Sequence, residues 1–222
     1  MRDWQVRCVC GGHPQSCNNG WMREIEGRAK PILTKLIKGD AVRIHPQDQE
    51  AIATWAALKS MVSEFYFEGK GITHHMQRRR MMKRRLPPQS GWGIWIGCFE
   101  RKLSKLEWAS HPMLLLADDE ALRRAGPNAT RYNSNATTQI IGKLFIQIIH
   151  GPRGSIIDRW RFSLPNRGTL YRIWPVSGYT IVWPGQALSE QDGEAARDAF
   201  PRFLLQKMLS QGNMPMWPGT LS

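Results

Sequence analysis

The segment Leu86-Pro87-Pro88-Gln89-Ser90-Gly91 divides the chain into two kinds of pattern. Two successive prolines offer no backbone N–H, lock φ, and push the residue before them out of helical geometry. Neither a helix nor a central strand can run through them, so one class of element has to end there. Before the break, apolar residues recur at helical spacing. Met22, Ile25, Ala29, Leu33, Leu36 and Ile37 predict a helix from Trp21 to Ile37, with Asn18 or Asn19 as its cap and Gly39 at its end. Pro31 predicts a kink there, or two shorter helices. A second helix is expected from His45-Pro46 to about Phe67, its stripe formed by Ile52, Trp55, Ala56, Val62, Phe65 and Tyr66. A shorter basic helix fits Thr73 to Arg85.

After the break the pattern is that of strands. Trp92 to Phe99 reads as one, and the isoleucine-rich run Thr137 to His150 reads as the central strand of a sheet. Trp160 to Ser163, Leu170 to Trp174 and Tyr179 to Trp183 are shorter candidates, and Met113 to Leu116 fits either a strand or a buried turn. Helical periodicity returns from Ser189 to Leu209, with a break expected at Pro201. Helices, then strands, then a closing helix make an α+β chain with a mostly antiparallel sheet. The expected division is a helical segment over 1–90 and a β-rich segment over 91–222 closed by the C-terminal helix.

Charge narrows the classes of partner. The 31 Lys and Arg outnumber 18 Asp and Glu, a formal surplus of +13. Such a surface favours polyanions, because neutralising phosphates releases their counterions. The surplus is concentrated in Lys70, Arg78, Arg79, Arg80, Lys83, Arg84 and Arg85, with no acid from 70 to 85. DNA or RNA held through its phosphates is the expected partner, and a solvated surface with no partner is the plain alternative. Apolar runs such as Met113 to Ala117 are far too short to span a bilayer, and the start Met1-Arg2-Asp3-Trp4 lacks a secretory segment. A cytoplasmic location with no membrane partner is therefore expected.

One constellation has metal-binding chemistry. Cys8, Cys10, His13 and Cys17 lie within ten residues, with Gly11 and Gly12 to let the loop turn. Four such ligands can surround a structural zinc ion, and clustered cysteines in a reducing compartment bind metal more often than they pair. The C-x-C-x2-H-x3-C spacing departs from the usual pairs two to four residues apart, so a loop of unligated thiols remains the alternative.

The stretch Cys17-Asn18-Asn19-Gly20-Trp21-Met22, continuing through Arg23-Glu24-Ile25-Glu26 and Ala29-Lys30-Pro31-Ile32-Leu33, resembles a family of bacterial and phage proteins with an HNH-endonuclease-like start. Trp55 to Lys59, Pro87 to Gly97, Ile141-Gly142-Lys143-Leu144, Ile173-Trp174-Pro175 and Trp183-Pro184 are similar to later signposts of that family. The resemblance implies a Cys-rich knuckle that opens a helix, with Cys10 and Cys17 as the knuckle pair and Asn18 where HNH sequences commonly place a metal ligand. HNH cleavage also needs an upstream histidine to activate water and an upstream half of the knuckle. The seven residues before Cys8 contain no histidine. The expectation is therefore a nucleic-acid-binding relative of HNH endonucleases that does not itself cleave. A metal-dependent nuclease completed by missing residues or a partner is the first alternative.

Other features carry less. His74-His75 point about 100° apart on a helix and chelate poorly. Asp118-Asp119-Glu120 reads as a helix start, while His45, His111 and His150 are isolated beside Pro or Gly and receive no role. No Walker loop, GxGxxG, nucleophile elbow or H-E-x-x-H is present. Trp-Pro occurs three times, at Trp174, Trp183 and Trp217, and reads as packing. Ten tryptophans also leave room for a protein partner, as in a phage or defence-related interaction module.

Overall fold

A computed structural model of the chain describes residues 17–67, 71–100, 107–113, 133–152, 154–164 and 168–210. Helix α1 (Met22–Lys38) follows a five-residue π-type turn, Cys17–Trp21. No side chain caps it, so the expected asparagine cap is replaced by a chain already helical at Trp21. The helix is one element across Pro31. That ring is exposed, while Ile25, Ala29, Ile32, Leu33 and Leu36 are buried on the opposite side, and this packing offsets the hydrogen bond that proline cannot make. Gly39 ends it in the left-handed region at φ +84°, its N–H reaching Lys35 O and Leu36 O.

Helix α2 (Pro46–Phe67) starts where Pro46 predicts, and the Asp48 carboxylate accepts the His45 N–H at 3.0 Å. It is buried on almost every side rather than along one stripe. Ala51, Ile52, Ala53, Ala56, Ala57, Leu58 and Met61 lie between α1 and the sheet, as expected of a helix without a polar face. Phe65, assigned to the stripe, is instead 46% exposed.

The sheet has five antiparallel strands in the order β3-β4-β5-β2-β6: β2 (Trp92–Cys98), β3 (Glu107–Met113), β4 (Ser134–Ile141), β5 (Leu144–His150) and β6 (Tyr171–Trp174). All seven β2 residues are buried because both faces of the sheet are covered. Trp92, Ile94, Ile96 and Cys98 join α1 and α2. Trp95 on the other face packs in a cluster with Phe200 of α4 (Glu190–Ser210). Ser189 and Asp192 form a reciprocal cap at the start of α4, with Ser189 N–H to Asp192 Oδ2 at 3.2 Å and Asp192 N–H to Ser189 Oγ at 3.1 Å. Pro201 does not break this helix. A two-stranded ribbon, β1 (Val42–Ile44) with β7 (Ile181–Trp183), joins the N-terminal helices to the β-rich half.

Two strand expectations are corrected, and one open one is settled in part. Thr137 to His150 is the hairpin of β4 and β5, turning at Gly142-Lys143 with Ile141 opposite Leu144. Gly142 has φ +58°, and a Cβ there would come 2.5 Å from the Ile37 carbonyl, which accepts the Lys143 N–H at 2.9 Å. Isoleucines on both sides of the turn hide it, although a fourteen-residue strand would be unusually long. Trp160 to Ser163 is irregular, because its aromatic content serves packing. Trp160 follows a short 3-10 turn (Ile156–Arg159) and sets its ring against Phe162, Phe200 and Phe203. The Met113 region is the end of β3, an edge strand that tolerates Pro112; residues 114–116 lie outside the described residues. Trp174 and Trp183 are buried as expected, and Trp174 Nε1 donates to Pro88 O at 2.8 Å.

Candidate nucleic-acid interface

Helix α3 (His75–Arg84) presents the basic run in two different ways. The His74 ring accepts the Met76 N–H at its start, and Arg85 closes it at φ +56° with its N–H on Met81 O at 2.8 Å. Met81 is fully buried and fixes the rotation of the helix. Arg79, Arg80, Lys83 and Arg84 then stand at i, i+1, i+4 and i+5, an arc of about 140° at 3.6 residues per turn. All four are exposed, and none makes an ion pair or hydrogen bond among the described residues. Met76, 55% exposed, lies within this arc.

The other two arginines turn back to the fold. Arg78 donates to the Thr73 carbonyl and lies 5.1 Å over the Phe65 ring. Arg85 pairs with Glu24 at 3.1 Å and lies 5.5 Å over Trp21, tying the end of α3 to the start of α1. Lys70 lies outside the described residues.

The start of α3 is anchored by a buried carboxylate–imidazole contact. Glu64 of α2 accepts both the Thr73 N–H, at 2.7 Å, and its hydroxyl, at 2.6 Å. Its Oε1 also lies 2.8 Å from His150 Nε2, with both side chains fully buried. The approach is off the N–H axis, so the contact is electrostatic more than a straight hydrogen bond. The Trp92 ring stacks on the imidazole at 4.4 Å, 13° from parallel. Burial pushes the Glu64 carboxyl upward, but the attraction of the nearby His150 ring and the bonds from Thr73 outweigh it and hold the group below its usual 4.5.

Beside this anchor is a cleft of about 530 Å³, lined by residues 71–75, Gln77, Arg78, Asn133, Gly151 and Pro152, with no carboxylate in its wall among the described residues. His74 and His75 are exposed here, their ring centres 4.3 Å apart.

Of the metal expectation, Cys8, Cys10 and His13, with the Cys17 side chain, lie outside the described residues; the Cys17 backbone belongs to the turn before α1. Among the described residues no three or more His, Cys, Asp or Glu side chains are grouped to hold a metal ion. Asp118-Asp119-Glu120 is outside them too. The reading from sequence missed Glu64, Thr73 and His150. The available signal was polarity inside apolar patterns, since Ser60, Ser63 and Glu64 interrupt the apolar residues near the end of α2, and His150 ends an isoleucine strand. No helix among the described residues is long and apolar enough to cross a membrane. No protein-family model, curated protein or solved structure matches this chain.

Proposed function

We propose that this chain binds nucleic acid through the phosphate backbone, using the outer face of α3. The observation that carries this reading is the grouping of Arg79, Arg80, Lys83 and Arg84 on one exposed arc, clear of any acidic partner among the described residues, while the neighbouring arginines are tied inward. A helix that merely needed solubility would interleave carboxylates at i and i+4. Here the acid-free run continues from Gly69 to Phe99. Four cations on one short helix neutralise phosphates without reading bases, so affinity should be insensitive to sequence and steep in salt. Fluorescence anisotropy with a labelled duplex at about 50 mM salt tests this. Binding is expected for unrelated sequences alike, weakened by Arg79→Ala/Arg80→Ala, and absence of binding at that salt refutes the reading.

A further inference from the structure

From the cleft at the head of α3 we infer that the polynucleotide is single-stranded, with one unstacked base seated between His75, Gln77 and the Gly151-Pro152 wall. This rests on the phosphate-binding reading above and adds to it the form of the nucleic acid. The cleft has about 530 Å³ of space, within the range of small-molecule sites. Its wall holds what an isolated base needs. His74 and His75 offer flat rings, and the Gln77 amide, whose nitrogen reaches Gly151 O at 3.4 Å, leaves its carbonyl to accept. The buried Ile72 gives an apolar floor. No wall residue among the described residues carries a negative charge that would repel a phosphate. Position matters as much as composition, because His75 stands one turn before Arg79, so the cleft opens where the cationic arc begins. A strand whose phosphates follow that arc can turn one base inward. A duplex cannot do so without paying to unpair it, and exposed bases are ordinarily recognised by stacking on aromatic side chains, histidine included. The Glu64 clamp on Thr73 keeps the cleft wall in place whether or not a base is present.

The test compares a single-stranded DNA of about twenty nucleotides, the same strand with abasic sites, and the duplex, at equal ionic strength. His75→Ala is the informative variant, because His75 is exposed, caps nothing and makes no hydrogen bond among the described residues. The base-bearing strand should bind tighter than the abasic strand. His75→Ala should weaken it by about fivefold or more, as loss of a stacked base does, while leaving the abasic strand and the duplex unchanged. Equal or tighter duplex binding, or an equal effect of His75→Ala on all three, overturns the base-in-cleft inference. The Arg79→Ala/Arg80→Ala variant keeps the two readings apart: weakened binding to all three, without a base preference, sinks only the cleft, whereas unchanged binding to all three sinks the phosphate reading and the cleft with it. The matching RNA strand assigns the sugar, the strand that loses more on His75→Ala being the one the cleft holds.

Discussion

The inner and outer sides of α3 carry the same residue type and have opposite fates. On the inner side Arg78 and Arg85 are absorbed by the Thr73 carbonyl, Glu24 and the rings of Phe65 and Trp21. On the outer side Arg79, Arg80, Lys83 and Arg84 meet only solvent among the described residues. The difference comes from Met81, whose burial sets which arginines can reach the fold. A run of positive charge is therefore two populations, one acting on stability and the other available to a polyanion.

The largest effect expected is on the anchor beneath the inner side. Glu64→Ala should destabilise the protein by about 3–5 kcal/mol, because it strands a buried imidazole and two Thr73 donors. Chemical denaturation measures this, and a loss below about 1 kcal/mol would show that the pair does not anchor the helix. The same group predicts a pH dependence. Because its folded value is depressed, the stability it supplies is present above its usual 4.5 and is lost as pH falls through the lower folded value. Glu64→Gln should flatten the fall in stability below about pH 4.5, and an unchanged acid limb would contradict the assignment.

A smaller effect separates the two sides directly. Arg78→Ala should cost about 1–2 kcal/mol through the lost Thr73 bond and ring contact. Arg85→Ala, whose partner Glu24 is exposed, should cost no more than about 1 kcal/mol. Arg79→Ala should stay within about 0.5 kcal/mol of wild type. Thermal unfolding ranks the three, and an order with Arg79 first would merge the populations.

Much of the scaffold is legible in the sequence, and the candidate site only in part. Pro46 set the start of α2, Gly39 the end of α1, and the Pro87-Pro88 break the change from helix to sheet, since these residues act through their own backbone. The hairpin at Gly142-Lys143 was not readable, because its turn is framed by isoleucines and held by the distant Ile37 carbonyl. The charge run marks the segment that forms α3 but could not sort Arg78 from Arg79. That sorting depends on Thr73, Phe65 and Met81 meeting in space. Glu64 and His150 are 86 residues apart in sequence, and only the placement of α2 on β5 joins them.

The most direct test of the account is the slope of log affinity against log salt for duplex DNA, in wild type and in Arg79→Ala/Arg80→Ala/Lys83→Ala/Arg84→Ala. At about 0.9 per neutralised phosphate, the slope of the fourfold variant should be shallower by about 3.6, with Arg78→Ala left at the wild-type slope. A fourfold variant that keeps the wild-type slope would contradict the claim that the outer face of α3 meets phosphates.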